Sequence, residues 1–340
     1  MRQTETPVSP AEPEMKRSSL NPILTRSDIP DIPPHVADVT SVFNPGAIRL
    51  GDRYLLLLRV QTRGRETVLM VAESRDGERF TVRPRIVHIE GLDAVKQTIY
   101  HVYDPRLTMI DGTVYIVFAA DTDAGCRLGI ARTSDFDRFE MVGFGGDEDA
   151  RNGVLFPERH DGRYLRLERP NRTRLDSGVT TGTEIMLSES DDLVYWRPVG
   201  PVMAGRFHYW DELIGSGPPP VKTRAGWLHI YHGVATHFAA ANIYQAGVVL
   251  LDLDEPHHVL ARCRENILEP RELCELVGQV PNVVFPSGMI VEDFDAEGFA
   301  EPDGLVRVYY GAADTVVCLA TTTVADLITA AREGEAPAEP

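Results

Sequence analysis

The chain has 340 residues, enough for one large domain or two average ones with a sizeable core. Its 34 basic and 51 acidic residues leave a formal charge of −17, which argues against nucleic acid as a partner and requires any anionic substrate to be drawn in by a local cationic pocket. Four cysteines without CxxC spacing, no secretory h-region and no apolar run of membrane-spanning length point to a cytoplasmic protein with reduced thiols and no membrane association.

Residues 1–20 are polar and read as a flexible N-terminal tail or arm, and residues 334–340, rich in Glu, Ala and Pro, as a disordered C-terminal tail. Between them, residues 21–333 form one domain of short β-rich runs. Tyr54–Val60, Val68–Ala72, Val114–Phe118, Trp227–Tyr231, Ala246–Leu251 and Leu305–Tyr310 alternate with turn pairs such as Gly51-Asp52, Asp76-Gly77, Asp111-Gly112, Asp161-Gly162 and Asp303-Gly304. A weak repeat links Ala72–Phe80, Ala131–Phe139 and Leu187–Trp196. In each, a strand ends in a small polar turn with aspartate, followed by an aromatic. Ser74, Ser134 and Ser190 lie about one four-stranded antiparallel unit apart, a spacing that predicts an all-β, five-bladed propeller; a pair of β-sandwiches is the competing arrangement. One helix is legible, over Thr323–Glu333, with Thr323 as N-cap, Asp326 three residues on, and Val324, Leu327, Ile328 and Ala331 on one face.

Asp104 lies in His101-Val-Tyr-Asp-Pro-Arg-Leu-Thr108. Pro105 bars its predecessor from the helical region, so Asp104 is expected in extended or turn geometry. At the inner edge of a blade it would point into the channel and serve as a general acid with a raised pKa; otherwise it is a turn aspartate capping its own backbone. Three cations stand at strand ends: Arg151 in Arg151-Asn152-Gly153, Arg169 before Pro170, and Lys222 after Gly215-Ser-Gly-Pro-Pro-Pro-Val. Arginine suits bidentate phosphate contacts and lysine a point charge, although each alone is more often a surface cation. Asn44, Arg59, Tyr231, His232, Tyr244 and Asp314 offer hydrogen bonds and aromatic faces suited to a sugar. His101, His229 and His237 lack the spacing of a zinc triad, so no metal is expected. Phosphate-loop, dinucleotide and nucleophile-elbow patterns are missing from the sequence.

Eight ordered segments, Asn44-Pro-Gly, His101–Arg106, Arg151–Pro157, Gly215–Lys222, Ile230-Tyr-His-Gly, Leu251–Pro256, Val280–Pro286 and Tyr310–Asp314, resemble the β-mannoside phosphorylases of glycoside hydrolase family 130, over residues 21 to 330. The resemblance implies a five-bladed propeller and inverting phosphorolysis, in which a β-mannoside (foremost a β-1,4-mannooligosaccharide) and inorganic phosphate give α-mannose 1-phosphate. It places Asp104 as proton donor, acting through a mannose hydroxyl. Arg151, Arg169 and Lys222 become the phosphate-binding cations, with His232 and Tyr244 beside them. Asn44, Arg59, Asn152 and Asp314 become sugar-binding residues. It requires no cofactor beyond phosphate as co-substrate, and is compatible with a homo-oligomer.

An inverting hydrolase needs a second carboxylate as base, whereas phosphate needs only positioning and charge compensation. Glu158 and Glu168, each next to an arginine, read as orienting groups. Glu168 also departs from the histidine expected in many relatives at that position. Arg206–Asp211 and Ala235–Asn242 are rim candidates for setting the acceptor, with glucose, N-acetylglucosamine and mannose, and β-1,4 and β-1,2 linkages, all open. A β-mannosidase on the same fold and a non-enzymatic carbohydrate-binding propeller are the rival functions.

Overall fold

The computed structural model describes residues 15–145, 149–171, 182–237 and 241–334, with the backbone of 174–175 and 178–179. Five sheets, antiparallel but for one edge pair, follow one another around a central channel, the five-bladed propeller expected from the repeat. Their inner strands are Val39–Leu50, Ile99–Ile110, Ala150–Leu155, Leu213–Ser216 and Val284–Val291. Blades 1 to 4 each run outward in chain order to Thr81–Ile86, Phe139–Phe144, Arg197–Ala204 and Val259–Arg262, and in blade 2 the short strand Ile89–Glu90 pairs parallel to Phe139–Phe144 at the outer edge.

Blade 5 is built differently. Its third strand, Val316–Thr323, feeds the C-terminal helix Val324–Arg332, and the fourth place is taken by Lys16–Arg17 from the other end of the chain. Lys16 pairs with Thr321 and Arg17 with Ala320. This corrects the tail boundary drawn at residue 20. Residues 15–20 close the ring, Met15 is buried, and Arg17 donates from Nε to Glu275 Oε1 at 2.8 Å. Residues 1–14 and 335–340 of the two tails lie outside the described residues. The helix is capped by Thr323, whose hydroxyl accepts from the Asp326 amide, and it buries Val324, Leu327, Ala330 and Ala331.

The repeat is the turn between the third and fourth strands of a blade. Ser74 and Asp76, Thr133 and Asp135, and Ser190 and Asp192 occupy equivalent places; in blade 2 the hydroxyl is that of Thr133, one residue before Ser134. Each aspartate accepts two backbone amides, and Asp252 does the same in blade 4. Such side-chain to backbone bonds fix a tight turn locally, with no help from the rest of the fold.

Candidate active site

A cavity of about 390 Å³ occupies the channel, at the end of the propeller where the inner strands begin. Three inner strands reach it through matching β-bulges. The register breaks between Phe43 and Gly46, between Tyr103 and Arg106, and between Arg151 and Val154. The extra residues begin with Asn44, Asp104 and Asn152, all left-handed, at φ of 47°, 51° and 52°. Asp104 is thus in a turn conformation, as expected, and the turn is one that aspartate and asparagine adopt more readily than other side chains. A bulge re-aims a side chain out of the pleat, and here all three line the cavity.

Asp104 is not a self-capping turn residue. Its Oδ1 accepts from Asn44 Nδ2 at 3.0 Å and from Arg59 Nη1 at 3.0 Å, while Oδ2 has no partner among the described residues. Arg59 is sandwiched by rings, its guanidinium carbon 4.4 Å from the Phe43 centroid and 4.8 Å from that of Tyr103. Beneath Asp104, buried Arg106 donates to the Asp104 carbonyl at 3.1 Å and, from Nε, to the Gly217 carbonyl at 2.7 Å. That bond ties blade 2 to blade 4 and fixes the backbone that carries the acid. Burial brings the Arg106 guanidinium down to about 10, with the Asp104 charge opposing the shift.

The second feature is a pair of like charges. Arg151 and Arg169 face each other directly across neighbouring strands of blade 3. Like charges in that relation repel and destabilise a sheet unless an anion lies between or beside them. Burial and then the Arg151 charge push the Arg169 guanidinium below its ordinary range. Arg151 is also opposed by burial, but Tyr103, Cys126 and Asp121 more than offset that and raise it. Arg169 lies against Gly182, where a Cβ would come 3.1 Å from Nη1. The Nε atoms of Arg59, Arg151 and Arg169 and the Oδ1 atoms of Asn44 and Asn152 are buried without a partner among the described residues. Unpaired buried polar atoms are costly, so their convergence on one cavity marks a site built for a polar ligand.

His232 and Tyr244 complete that wall, ring centroids 6.2 Å apart, with Phe285 4.6 Å from His232. A Cβ on Gly215, opposite His232, would meet its Cε1 at 2.4 Å, so glycine is needed for the imidazole to lie where it does. Burial, then Arg169 and Arg106, hold His232 well below its ordinary range, so it is a neutral hydrogen-bonding group and adds no positive charge. Tyr244 is pushed up by burial and keeps its proton. Asp314, left-handed at φ 48°, lines the cavity with a carboxyl raised to about 6 by burial; Arg59 pulls it down and Asp104 pushes it further up.

Lys222 stands elsewhere, which corrects its assignment to phosphate. It pairs with Trp227 at the start of the second strand of blade 4, whereas the cavity lies toward that strand's far end. Its ammonium is held by Glu158 at 2.7 Å and lies 4.8 Å from the Phe299 ring centroid. Glu158 is thereby accounted for on the outer surface. Glu168 is buried against Arg166 and accepts from Ser188 Oγ at 2.6 Å, outside the cavity lining. No residue of the rim candidate Arg206–Asp211 lines the cavity either. Asp211 is buried and accepts from Arg206, Arg262 and Tyr231 at 2.6–2.8 Å. In Ala235–Asn242, residues 238–240 lie outside the described residues, and none of the others lines the cavity.

Several cavity residues were not singled out from the sequence, among them Tyr103, Asp121, Arg65, Gln61 and Thr67. Tyr103 donates to Asp121 Oδ1 at 2.8 Å, and Asp121 lies 3.5 Å from Arg151 Nη2. Arg65 lines the mouth. Asp121 faces His101 across the sheet, a cross-strand relation that no local pattern announces.

The model of glycoside hydrolase family 130, described as beta-1,4-mannooligosaccharide phosphorylase, matches residues 14–333. A beta-1,4-mannooligosaccharide phosphorylase of Ruminococcus albus is 33% identical, covering 92% of this chain and 89% of its own. A 1,2-beta-oligomannan phosphorylase of a Thermoanaerobacter species is 32% identical over 84% of this chain and 91% of its own. The solved beta-1,2-mannobiose phosphorylase of Listeria innocua, in complex with beta-1,2-mannobiose, superposes with a TM-score of 0.79 at 24% identity, covering 93% of this chain and 99% of its own, and supports the fold.

Proposed function

The chain belongs to glycoside hydrolase family 130, and from that premise we propose that it is an inverting phosphorylase of β-mannosides. The observation that carries the reading is the cross-strand pair Arg151 and Arg169, two guanidiniums facing one another on the wall of the cavity that also holds Asp104. An inorganic phosphate set between them relieves their repulsion and is positioned by two forked donors, with Tyr244 and neutral His232 alongside. A phosphate oxygen attacks the anomeric carbon from the face opposite the leaving sugar. The C1–O bond breaks, the proton of Asp104 passes by way of a mannose hydroxyl to the departing oxygen, and α-mannose 1-phosphate and the shortened acceptor leave. Asn44, Arg59, Asn152 and Asp314 hold the mannosyl unit. Arg59 and Asn44 meanwhile fix the acid through its Oδ1.

A hydrolytic reading has one observation in its favour: Asp121 and Asp314 put two further carboxylates in the same cavity, and an inverting hydrolase needs one of them as base. Asp121 is engaged by Tyr103 and Arg151, and Asp314 sits beside Arg59, so both have other partners. Incubation with β-1,4- and β-1,2-mannobiose, with and without phosphate, tests the choice. Phosphorolysis predicts α-mannose 1-phosphate only where phosphate is present; equal release of free mannose in both incubations would establish the hydrolase.

A further inference from the structure

Blade 3 borders a second cavity, of about 230 Å³, that shares no lining residue with the first. Side chains alternate along the strand Tyr164–Pro170, so Arg169 faces the central cavity while Arg166 and Glu168 lie on the opposite face of the sheet. There Leu128 and Gly145 of blade 2 close the other side. The polar part of the lining is a buried cluster. Arg166 gives its Nη2 to Glu168, Ser188 Oγ donates to the second Glu168 oxygen at 2.6 Å, and the Arg166 Nε has no partner among the described residues. The guanidinium carbon lies 4.0 Å from the Trp196 ring centroid, and the Trp196 Nε1 is fixed by the Leu193 carbonyl at 3.2 Å.

Tyr195 lines the same cavity and is 78% exposed. It sits in the repeated outer turn, where its amide is one of the two that Asp192 accepts. The equivalent amide belongs to Arg79 in blade 1, Arg138 in blade 2 and Glu255 in blade 4. All three are exposed charged residues, as suits a solvated turn. The turn itself thus asks for no aromatic, and the ring in blade 3 needs another reason.

We propose that this cavity is a second, non-catalytic carbohydrate site, which takes one neutral pyranose unit of a β-mannan chain and holds the polymer on blade 3 while the central cavity carries out the chemistry. The choice of mannan rests on the β-mannoside reading above. The class of ligand follows from the lining. Arg166 and Glu168 neutralise each other, so an anion would meet the carboxylate and a cation the guanidinium. A carboxylate offers about four acceptor positions, of which two are used, and a hydroxyl can both donate to it and accept from the arginine. An exposed tyrosine ring beside Pro198 offers an apolar face to the C–H side of a sugar.

The test is electrophoresis through native gels containing soluble β-1,4-glucomannan or β-1,2-mannan, on the Asp104→Asn protein so that the polymer is not shortened. One of the two polymers should retard it, and adding Tyr195→Ala should weaken that binding about tenfold, whereas Tyr195→Phe keeps it. In the otherwise wild-type enzyme, Tyr195→Ala should leave Tm and kcat/KM for mannobiose unchanged, because the ring is exposed and outside the central cavity. Passage unretarded by either polymer, or retardation untouched by Tyr195→Ala, would overturn the second site. Its fate is separable from that of the reaction. Retardation that depends on Tyr195 supports the site even if no mannobiose shows phosphate-dependent turnover, and such turnover with no Tyr195-dependent retardation leaves the phosphorylase standing without it.

Discussion

Two sets of acidic turns occupy this propeller, and they behave in opposite ways. At the outer turns, Asp76, Asp135, Asp192 and Asp252 spend their carboxylates on amides two and three residues away. At the inner bulge Asp104 makes no such bond; its partners, Arg59 and Asn44, come from another blade. The outer aspartates satisfy themselves and ask nothing of the tertiary structure. Asp104 is presented, by a left-handed backbone and by Arg106 beneath it, to a cavity where buried atoms of Asn44, Arg59, Arg151, Asn152 and Arg169 lack partners among the described residues. The difference separates an aspartate that makes a fold from one placed to act on a ligand.

The sharpest way to break this contrast is Asp104→Asn. A general acid contributes about 10²–10⁴ in rate, so phosphorolysis should fall by about a thousandfold while Tm stays within a few degrees of the wild type. Retained turnover in a folded Asp104→Asn protein would return Asp104 to the class of the outer turns.

Asp314 offers a second probe, because its carboxyl is pushed up to about 6 from an ordinary 3.8. The sign follows from proton uptake. Between pH 4 and 6 the folded protein holds a proton that the unfolded chain has released, so stability contributed by this group is lost as pH rises through that window. The gap of 6 − 3.8 = 2.2 units corresponds to about 3 kcal/mol. Denaturant unfolding of the wild type and Asp314→Asn at pH 4 and 7 should show the variant gaining on the wild type by an amount of that order. A pH-independent difference would mean that the cavity does not desolvate this group.

Arg169→Ala and Lys222→Ala extend the comparison to the cations. Arg169 faces Arg151 in the cavity and Lys222 is paired with Glu158 at the far end of blade 4. Loss of a charge-assisted phosphate contact is worth about 2 kcal/mol, so Arg169→Ala should raise KM for phosphate by about thirtyfold and leave KM for the mannoside nearly unchanged. Lys222→Ala should shift neither by more than about twofold, as for an exposed ion pair. Equal effects of the two would restore the three-cation site.

How far the sequence reaches is visible in these same residues. The propeller was legible because its turns carry a local signature, a hydroxyl and an aspartate two residues apart at the end of a strand. The fourth copy at Asp252 escaped notice because the pattern sought a serine or threonine before the aspartate, and none precedes it. Most of the cavity was legible through short segments such as Asn44-Pro-Gly and Asp104-Pro-Arg, where proline or glycine follows the functional residue and shapes the bulge. Lys222 was misplaced for a geometric reason: a cation at a strand end can lie at either end of the blade, and only the pairing with Trp227 shows which. Asp121 and Tyr103 were missed because their relation to Arg151 crosses strands. Residues 15–20 looked like tail because the two charged residues Lys16 and Arg17 become a strand only when Val316–Thr323 offers its unpaired edge.

The smallest effect tests the other half of the comparison. Asp76 accepts from the Glu78 and Arg79 amides at 2.9 and 2.8 Å, and Ser74 Oγ donates to it at 2.8 Å while accepting from the Gly77 amide at 3.0 Å. Those bonds lower the Asp76 carboxyl well below the usual carboxylate range, the Arg79 amide foremost. Their loss in Asp76→Ala resembles the loss of a helix cap, with two amides left to water at an exposed turn, and should lower stability by about 1 kcal/mol. Because the turn is far from the channel and Asp76 bonds only within it, kcat and both KM values should match the wild type. A variant that lost activity without losing stability would show that the outer turns set the position of the inner bulges, and the division between the two classes of aspartate would fail.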